Sequence, residues 1–231
     1  MMAEPQVITS TIGVVVRNLF DGLDEQERRL VMARMVRRSF RKGDTLFHEG
    51  DLGDSLHLLV KGRVAIRVST PSGDVATLTV LGPGSAFGEQ ALLSSDSRRT
   101  ASVVALDPCE SKVLQRRDFE DLRARHPSVE RFLLDAMSEQ VRRLSSQVLE
   151  ALYVSADVRV IRRLNDLVGL YDTGSAPVDI AVRQEDVASM AGTTRPTANR
   201  VLKQLEDEGV LTLGRGRIVV LDPDRVADKA R

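Results

Sequence analysis

Gly88-Glu89-Gln90-Ala91 and, ten residues beyond the glutamate, Arg99-Thr100 have the types and spacing to hold a charged small molecule. A glycine lets another group approach the backbone closely, and a carboxylate accepts from hydroxyls. Arg99 and Thr100 bring guanidinium donors and a hydroxyl to one place. A phosphate suits the guanidinium and a sugar hydroxyl suits the carboxylate. Taken alone, the stretch reads equally well as a surface loop with a solvated arginine.

A second set of residues carries a different chemistry. Gln184 to Leu202 reads as two helices joined at Gly192, the second capped by Thr194 with Pro196 in its first turn. The second helix would place Thr193, Thr194, Arg195, Thr197 and Arg200 at or beyond its exposed N-terminal face, with Lys203 on the flank and Val201, Leu202 and Leu205 inward. That is the geometry of a helix entering a DNA major groove, although helix pairs with a Gly turn also occur in ordinary helical domains. Leu211–Leu213 and Ile218–Leu221 flank Gly214-Arg215-Gly216-Arg217 as a β-hairpin, with Arg215 and Arg217 at a tip suited to phosphate contacts.

The elements that must position these groups follow from periodicity. Asp21 to Asp24 reads as a turn and helix cap, followed by a short helix with Leu30, Val31, Ala33, Met35 and Val36 on its apolar side. From Ser39 to Ala105, Gly-containing turns punctuate short β-rich runs, clearest at Leu56–Val60, Arg63–Ser69, Val75–Leu81 and Ser102–Leu106, as in an antiparallel sandwich or barrel. Phe119 and Leu122 mark a short helix ending at His126-Pro127, and Val129 to about Val154 runs without Gly or Pro. Within it Met137, Val141, Leu144, Val148, Ala151 and Ser155 recur at 4-3-4-3-4 spacing. This is a coiled-coil seam that packs against a second copy or against its own domain. Ser155 caps the next helix, Val158–Leu170, with Val160, Ile161, Leu164, Leu167 and Val168 inward, and Tyr171–Pro177 is a loop.

Composition narrows the function classes. Hydrophobic residues make up 42% and charged residues 29%, with 33 basic against 33 acidic side chains. Ala156–Arg231 holds 12 of each sign, so contact with nucleic acid must come from a local stripe. No membrane-spanning or signal pattern is present, so the expected location is the cytoplasm. Cys109, the single cysteine, excludes an internal disulfide and reads as a small buried hydrophobe at a strand end. His48, His57 and His126 lack metal-ligand spacing, and we assign neither a metal nor catalytic residues.

From about Leu19 to Leu221 the chain resembles the cyclic-AMP receptor protein and fumarate-nitrate regulator superfamily of bacterial transcription factors, carried by two motifs in the family's order. Gly88, Glu89, Arg99 and Thr100 match the family's phosphate-binding cassette, where they hold the ligand's ribose and phosphate, with Gln90 and Ala91 between them. The resemblance implies an α+β chain: an antiparallel β jelly roll binding a cyclic nucleotide (residues 1–128), a long dimerisation helix and hinge (129–155), and a winged helix-turn-helix domain (156–231). It also implies a homodimer, an effector in place of a cofactor, a palindromic double-stranded DNA operator whose base edges or adjacent phosphates are contacted by Arg195 and Arg200, and RNA polymerase as a further partner.

Two departures stand out. Pro196 replaces the glutamate that follows the corresponding arginine in the best-studied members, so the familiar half-site does not transfer. An ungapped alignment puts Leu144 and Ser145 where a threonine and a serine hold the adenine. Leu144 cannot hydrogen-bond the base, while Ser145 can do so from the opposite subunit. Cyclic AMP is the expected effector, against cyclic GMP, another nucleotide, or a ligand-independent regulator with a relict pocket. An enzyme or pump subunit with a cyclic-nucleotide module is disfavoured because the residues after Ser155 hold no nucleophile and base pair. A cupin-like metal enzyme is disfavoured by the absence of clustered histidines.

Overall fold

The computed structural model describes residues 23–70, 73–93, 98–126 and 128–231. Expectations for residues 1–22, for the turn at 71–72, for the polar run at 94–97 and for Pro127 lie outside the described residues.

Helix α1 (Glu25–Arg34) starts at a capping box, in which Asp24 accepts from Glu27 N at 2.8 Å and Glu27 accepts from Asp24 N at 3.0 Å. The helix stops before Val36, placed above on its apolar side; Val36 instead opens β1 (Val36–Phe40) and is exposed. The chain then forms β2 (Thr45–Phe47), β3 (Ser55–Lys61), β4 (Val64–Ser69), β5 (Val75–Leu81), β6 (Ala86–Phe87), helix α2 (Gln90–Leu93), β7 (Ser102–Ala105) and β8 (Cys109–Gln115). Two four-stranded antiparallel sheets result, ordered β1-β8-β3-β6 and β2-β7-β4-β5. Leu59, Val64, Leu81, Phe87, Val103, Ala105 and Cys109 fill the space between them, while Leu56, Leu114 and Ala86 turn outward onto Val31, Phe119 and Leu122. The alternation puts successive strand residues on opposite faces, so one roll carries both an interior and a helix-covered back. Cys109 is buried and its thiol donates to the carbonyls of Arg63 and Asp107.

Helix α3 (Arg116–Arg125) leads into the 26-residue α4 (Ser128–Tyr153). Ser155 accepts from Val158 N at 3.5 Å and caps α5 (Ala156–Tyr171). Val160, Leu164, Leu167 and Val168 are buried as the spacing requires, and Ile161 is half-buried. The same inward stripe buries Arg163, which ion-pairs with Glu150 of α4 and with Asp166, so the hinge is clamped by charge. Buried pairing of this kind is needed wherever a guanidinium leaves water.

The remaining elements are β9 (Val178–Ile180), α6 (Gln184–Met190), α7 (Arg195–Asp207), β10 (Leu211–Gly214), β11 (Arg217–Val220) and α8 (Pro223–Lys229). Strands β10-β11-β9 form a small antiparallel sheet. Ala198, Val201, Leu202 and Leu205 of α7 pack with Val187 and Ala188 of α6, and Gly192 between the helices takes φ of 58°. This core also includes Val80 of β5, so the C-terminal unit is seated against the roll. Two further contacts fix the seat: Arg63 lies 3.8 Å from the Tyr171 ring centroid, and Thr77 donates to Asp186 at 2.5 Å. Among the described residues no helix is long and apolar enough to cross a membrane.

Candidate functional site

The cassette is built around a close approach that only glycine permits. After β6 the chain turns at Gly88 with φ of 79°, where a Cβ would lie 2.4 Å from Arg99 Nη1 and 3.0 Å from the Ser55 carbonyl. Arg99 is 7% exposed and Glu89 also 7%. Arg99 Nη1 donates to the carbonyls of Ser55 at 2.8 Å and Gly88 at 3.2 Å, and Nη2 donates to Ser55 Oγ at 2.9 Å. The guanidinium carbon sits 4.0 Å from the centroid of the Phe47 ring. Its Nε is buried and without an acceptor among the described residues. A buried N–H with no acceptor is costly, and an anion entering beside it supplies one. Burial lowers the arginine's pKa from its ordinary value, opposed by Asp54 and Glu89.

These groups face a cavity of about 380 Å³, a size typical of small-molecule sites. Gly88, Glu89, Gln90, Arg99 and Thr100 line its charged end, and Phe47, Ile66, Leu81, Phe87 and Val103 line apolar walls. Ala91 lies in α2, its side chain outside the described residues. Helix α4 closes one side with Leu144, Gln147, Glu150 and Ala151, and the turn Ser189–Gly192 with Arg159 closes the far end. Leu144 therefore faces the cavity of its own subunit, whereas Ser145 is exposed and not part of this lining. Behind the apolar wall His57 stacks on Phe87 with centroids 5.2 Å apart and shares a 3.2 Å hydrogen bond with Ser111 Oγ. Burial first, then the cations Arg99 and Arg38, lowers its pKa to about 4.

Arg159 ties the cavity to the helix pair. Its guanidinium donates to Ala151 and Val154 at the end of α4 and to Ala191 and Gly192 at the end of α6. Orphan helix carbonyls are natural acceptors for such a cation.

The basic face lies on α7 and the hairpin. Thr194 caps α7, accepting from Thr197 N at 3.5 Å, and leaves Arg195 and Pro196 exposed, with Thr193 and Thr197 half-buried. Arg200 is exposed and paired with Asp157 at 2.5 Å, and Lys203 with Glu206 at 2.8 Å. Arg215 occupies the hairpin tip with Gly216, but Arg217 does not: it begins β11 and pairs with Asp179 at 2.7 Å. The tight Gly214–Arg217 register leaves just two residues for the turn. A cleft gathers Arg195 and Arg215 with Arg183, a residue the sequence reading missed because the start of α6 gave no signal of facing the hairpin. Phe47 and Ser55 were missed too, since both reach Arg99 through strand packing and not through any local motif. Among the described residues no group of His, Cys, Asp and Glu could hold a metal.

Residues 37–126 match the family profile described as a cyclic nucleotide-binding domain, and residues 158–228 match the Crp-like helix-turn-helix domain. The chain belongs to the CRP/FNR superfamily of transcription regulators. It is similar to the cyclic AMP receptor protein of Thermus thermophilus, with 36% identity over 202 residues that cover 87% of this chain and 91% of that protein. The crystal structure of the Thermus thermophilus catabolite activator protein overlays with a TM-score of 0.54 at 33% identity, covering 92% of this chain and 97% of that one. The c-di-GMP responsive regulator CLP of Xanthomonas campestris shares the fold, with a TM-score of 0.70 at 22% identity over 86% of this chain and 99% of that one. A CRP/FNR regulator with a cyclic-nucleotide-binding domain and a DNA-binding helix-turn-helix is thus established, and the members of this family are regulators, not enzymes.

Proposed function

We propose that the protein is a cytoplasmic, homodimeric, cyclic-AMP-responsive regulator that binds a palindromic DNA operator and works with RNA polymerase. The observation that carries the effector reading is Arg99. A guanidinium held by Ser55, Gly88 and Phe47, with one buried N–H lacking an acceptor among the described residues and the group lining a mononucleotide-sized cavity, is prepared for a phosphate. The name of the Thermus relative supports cyclic AMP as that phosphate's owner.

The dimer reading rests on the α4 seam. Val141, Leu144 and Val148 are 62%, 50% and 58% exposed, a row of large apolar side chains that a second copy of the helix would cover. Ligand in the cavity touches α4 and the Ser189–Gly192 turn together, so it biases both the seam and the orientation of the reading helices. The coupling is a population shift and is as strong as the ligand's preference for one dimer state.

Isothermal titration of the purified protein with cyclic AMP and cyclic GMP tests this. Wild-type protein binds cyclic AMP, and Arg99→Ala loses about 2–5 kcal/mol of that binding because a buried phosphate is left unpaired. Undiminished binding by Arg99→Ala would remove the cassette from the argument.

A further inference from the structure

Among the described residues, the helix wall of the cavity carries one polar side chain with nothing to bind. Of the four described α4 residues that face the cavity, Leu144 and Ala151 cannot hydrogen-bond through their side chains. Both carboxylate oxygens of Glu150 are occupied, Oε1 by Arg162 at 3.1 Å and Oε2 by Arg163. Gln147 is half-buried, and its carboxamide has no hydrogen-bond partner among the described residues. It also stands beside the apolar seam and not in it: Leu144 and Val148 occupy seam positions, and Gln147 is one helical step from Val148. A second helix packed on the seam therefore leaves Gln147 directed to its own roll.

We propose that Gln147 reads the base of the bound nucleotide and that the residue at this position sets the purine preference. The proposal rests on the cyclic-nucleotide reading above and adds to it the group that meets the base. With ribose and phosphate held at Glu89 and Arg99, the base extends away from the charged end, along apolar walls that stack but do not discriminate. Discrimination needs a donor and an acceptor. A carboxamide offers both side by side, and adenine presents the complementary pair, its 6-amino group beside N7 on one edge and N1 on the other. The amide can turn over to meet the O6 and N1–H of guanine as well, so the wild-type preference for adenine is modest. A carboxylate at the same place only accepts. It matches the two adjacent donors of guanine, N1–H and the 2-amino group, and opposes the N1 and N7 lone pairs of adenine.

The test is calorimetry on the full-length protein and on Gln147→Leu and Gln147→Glu, with three probes: cyclic AMP, cyclic GMP and purine riboside 3′,5′-cyclic monophosphate, which lacks the 6-amino group. Wild type is expected to bind cyclic AMP about fivefold more tightly than the purine analogue, the value of one neutral hydrogen bond. Gln147→Leu is expected to bind those two alike. Gln147→Glu is expected to move the ratio of cyclic AMP to cyclic GMP affinity at least about tenfold towards cyclic GMP, one charge-assisted pair gained and one repulsion added. These ratios do not respond to a merely structural role of the side chain. If Gln147→Glu fails to fold, the leucine variant and the purine analogue decide alone. Wild-type protein that binds cyclic nucleotides with ratios unchanged in the variants overturns the assignment of Gln147 and leaves the effector reading intact. Wild-type protein that binds none of the three overturns both.

Discussion

The guanidinium of Arg99 lies over the ring of Phe47, its central carbon 4.0 Å from the centroid, and this contact is made between strand β2 and the loop before β7. The ring covers one side of the guanidinium while Ser55 and Gly88 hold Nη1, so the group that lines the cavity is fixed before any ligand arrives. Phe47→Leu keeps an apolar side chain of similar size but removes the aromatic face. It is expected to weaken cyclic-nucleotide binding by about 0.5–2 kcal/mol, the range of a cation over a partly desolvated ring. Titration calorimetry reads this directly, and unchanged affinity would mean that Ser55 and Gly88 suffice.

His57 makes stability depend on pH. Its folded pKa is lowered to about 4 by burial, by Arg99 and by Arg38, against an unperturbed value of 6.5. Between those values the unfolded chain binds a proton that the native state refuses, so stability rises with pH through the window and is flat above it on this group's account. Falling from pH 6.5 towards 4, the loss approaches about 1.4 kcal/mol per unit. Urea unfolding at pH 7 and pH 5 is expected to show this loss in wild type. His57→Gln, which keeps a partner for Ser111, should abolish that component.

The seat of the C-terminal unit is held by Thr77, 2% exposed, which donates to Asp186 at 2.5 Å, with Arg67 3.7 Å from the same carboxylate oxygen. In this arrangement Thr193 and Arg195 share a cleft with Asp74 and Val75 of the roll, and we propose that DNA competes with this seat. Thr77→Val preserves shape and removes this hydrogen bond together with the 3.3 Å one that the hydroxyl accepts from Arg67 Nε. Effector-free DNA affinity is then expected to rise by about 1 kcal/mol, roughly fivefold. Fluorescence anisotropy with a labelled operator checks it, and an unaltered affinity would show that the seat does not compete with DNA.

How much of this was legible in the residues depends on the range of each contact. Gly88 and Gly192 act through their own backbone and Thr194 through its hydroxyl on an amide three residues on, so their roles could be read from local spacing. Strands β2 and β6, of three and two residues, are too short to show alternation, and β1 reads as polar because four of its five residues are exposed. Arg163 fits the inward stripe of α5 by position, yet its charge argued for solvent; its burial is explained by Glu150 on another helix together with Asp166 on its own. Gln147 is similar. Its one-dimensional neighbourhood marks it as surface, and the cavity that it faces exists only once the roll and α4 are packed together.

We propose Arg200 as a reading residue, and its present partner can be tested. It sits one turn into α7, exposed, and is paired with Asp157 at the start of α5. On DNA it must exchange that carboxylate for a base edge or a phosphate. Arg200→Ala is expected to cost about 1–3 kcal/mol at one position of each half-site and to relax the preference there. Asp157→Asn removes the competing charge. Because the pair is 59% and 46% exposed, its worth is about 0.2–1 kcal/mol, and the variant should bind every sequence more tightly by that amount without changing the preferred motif. Arg215, at the hairpin tip and without an ion pair among the described residues, should behave as a backbone contact. Arg215→Ala is expected to weaken all sequences alike and to lower the salt dependence by about one counterion. Selection from a random pool at two salt concentrations separates the three outcomes. A twofold-symmetric motif that changes at a single half-site position in Arg200→Ala alone supports the assignment, whereas a motif changed by Arg215→Ala would place base reading on the hairpin.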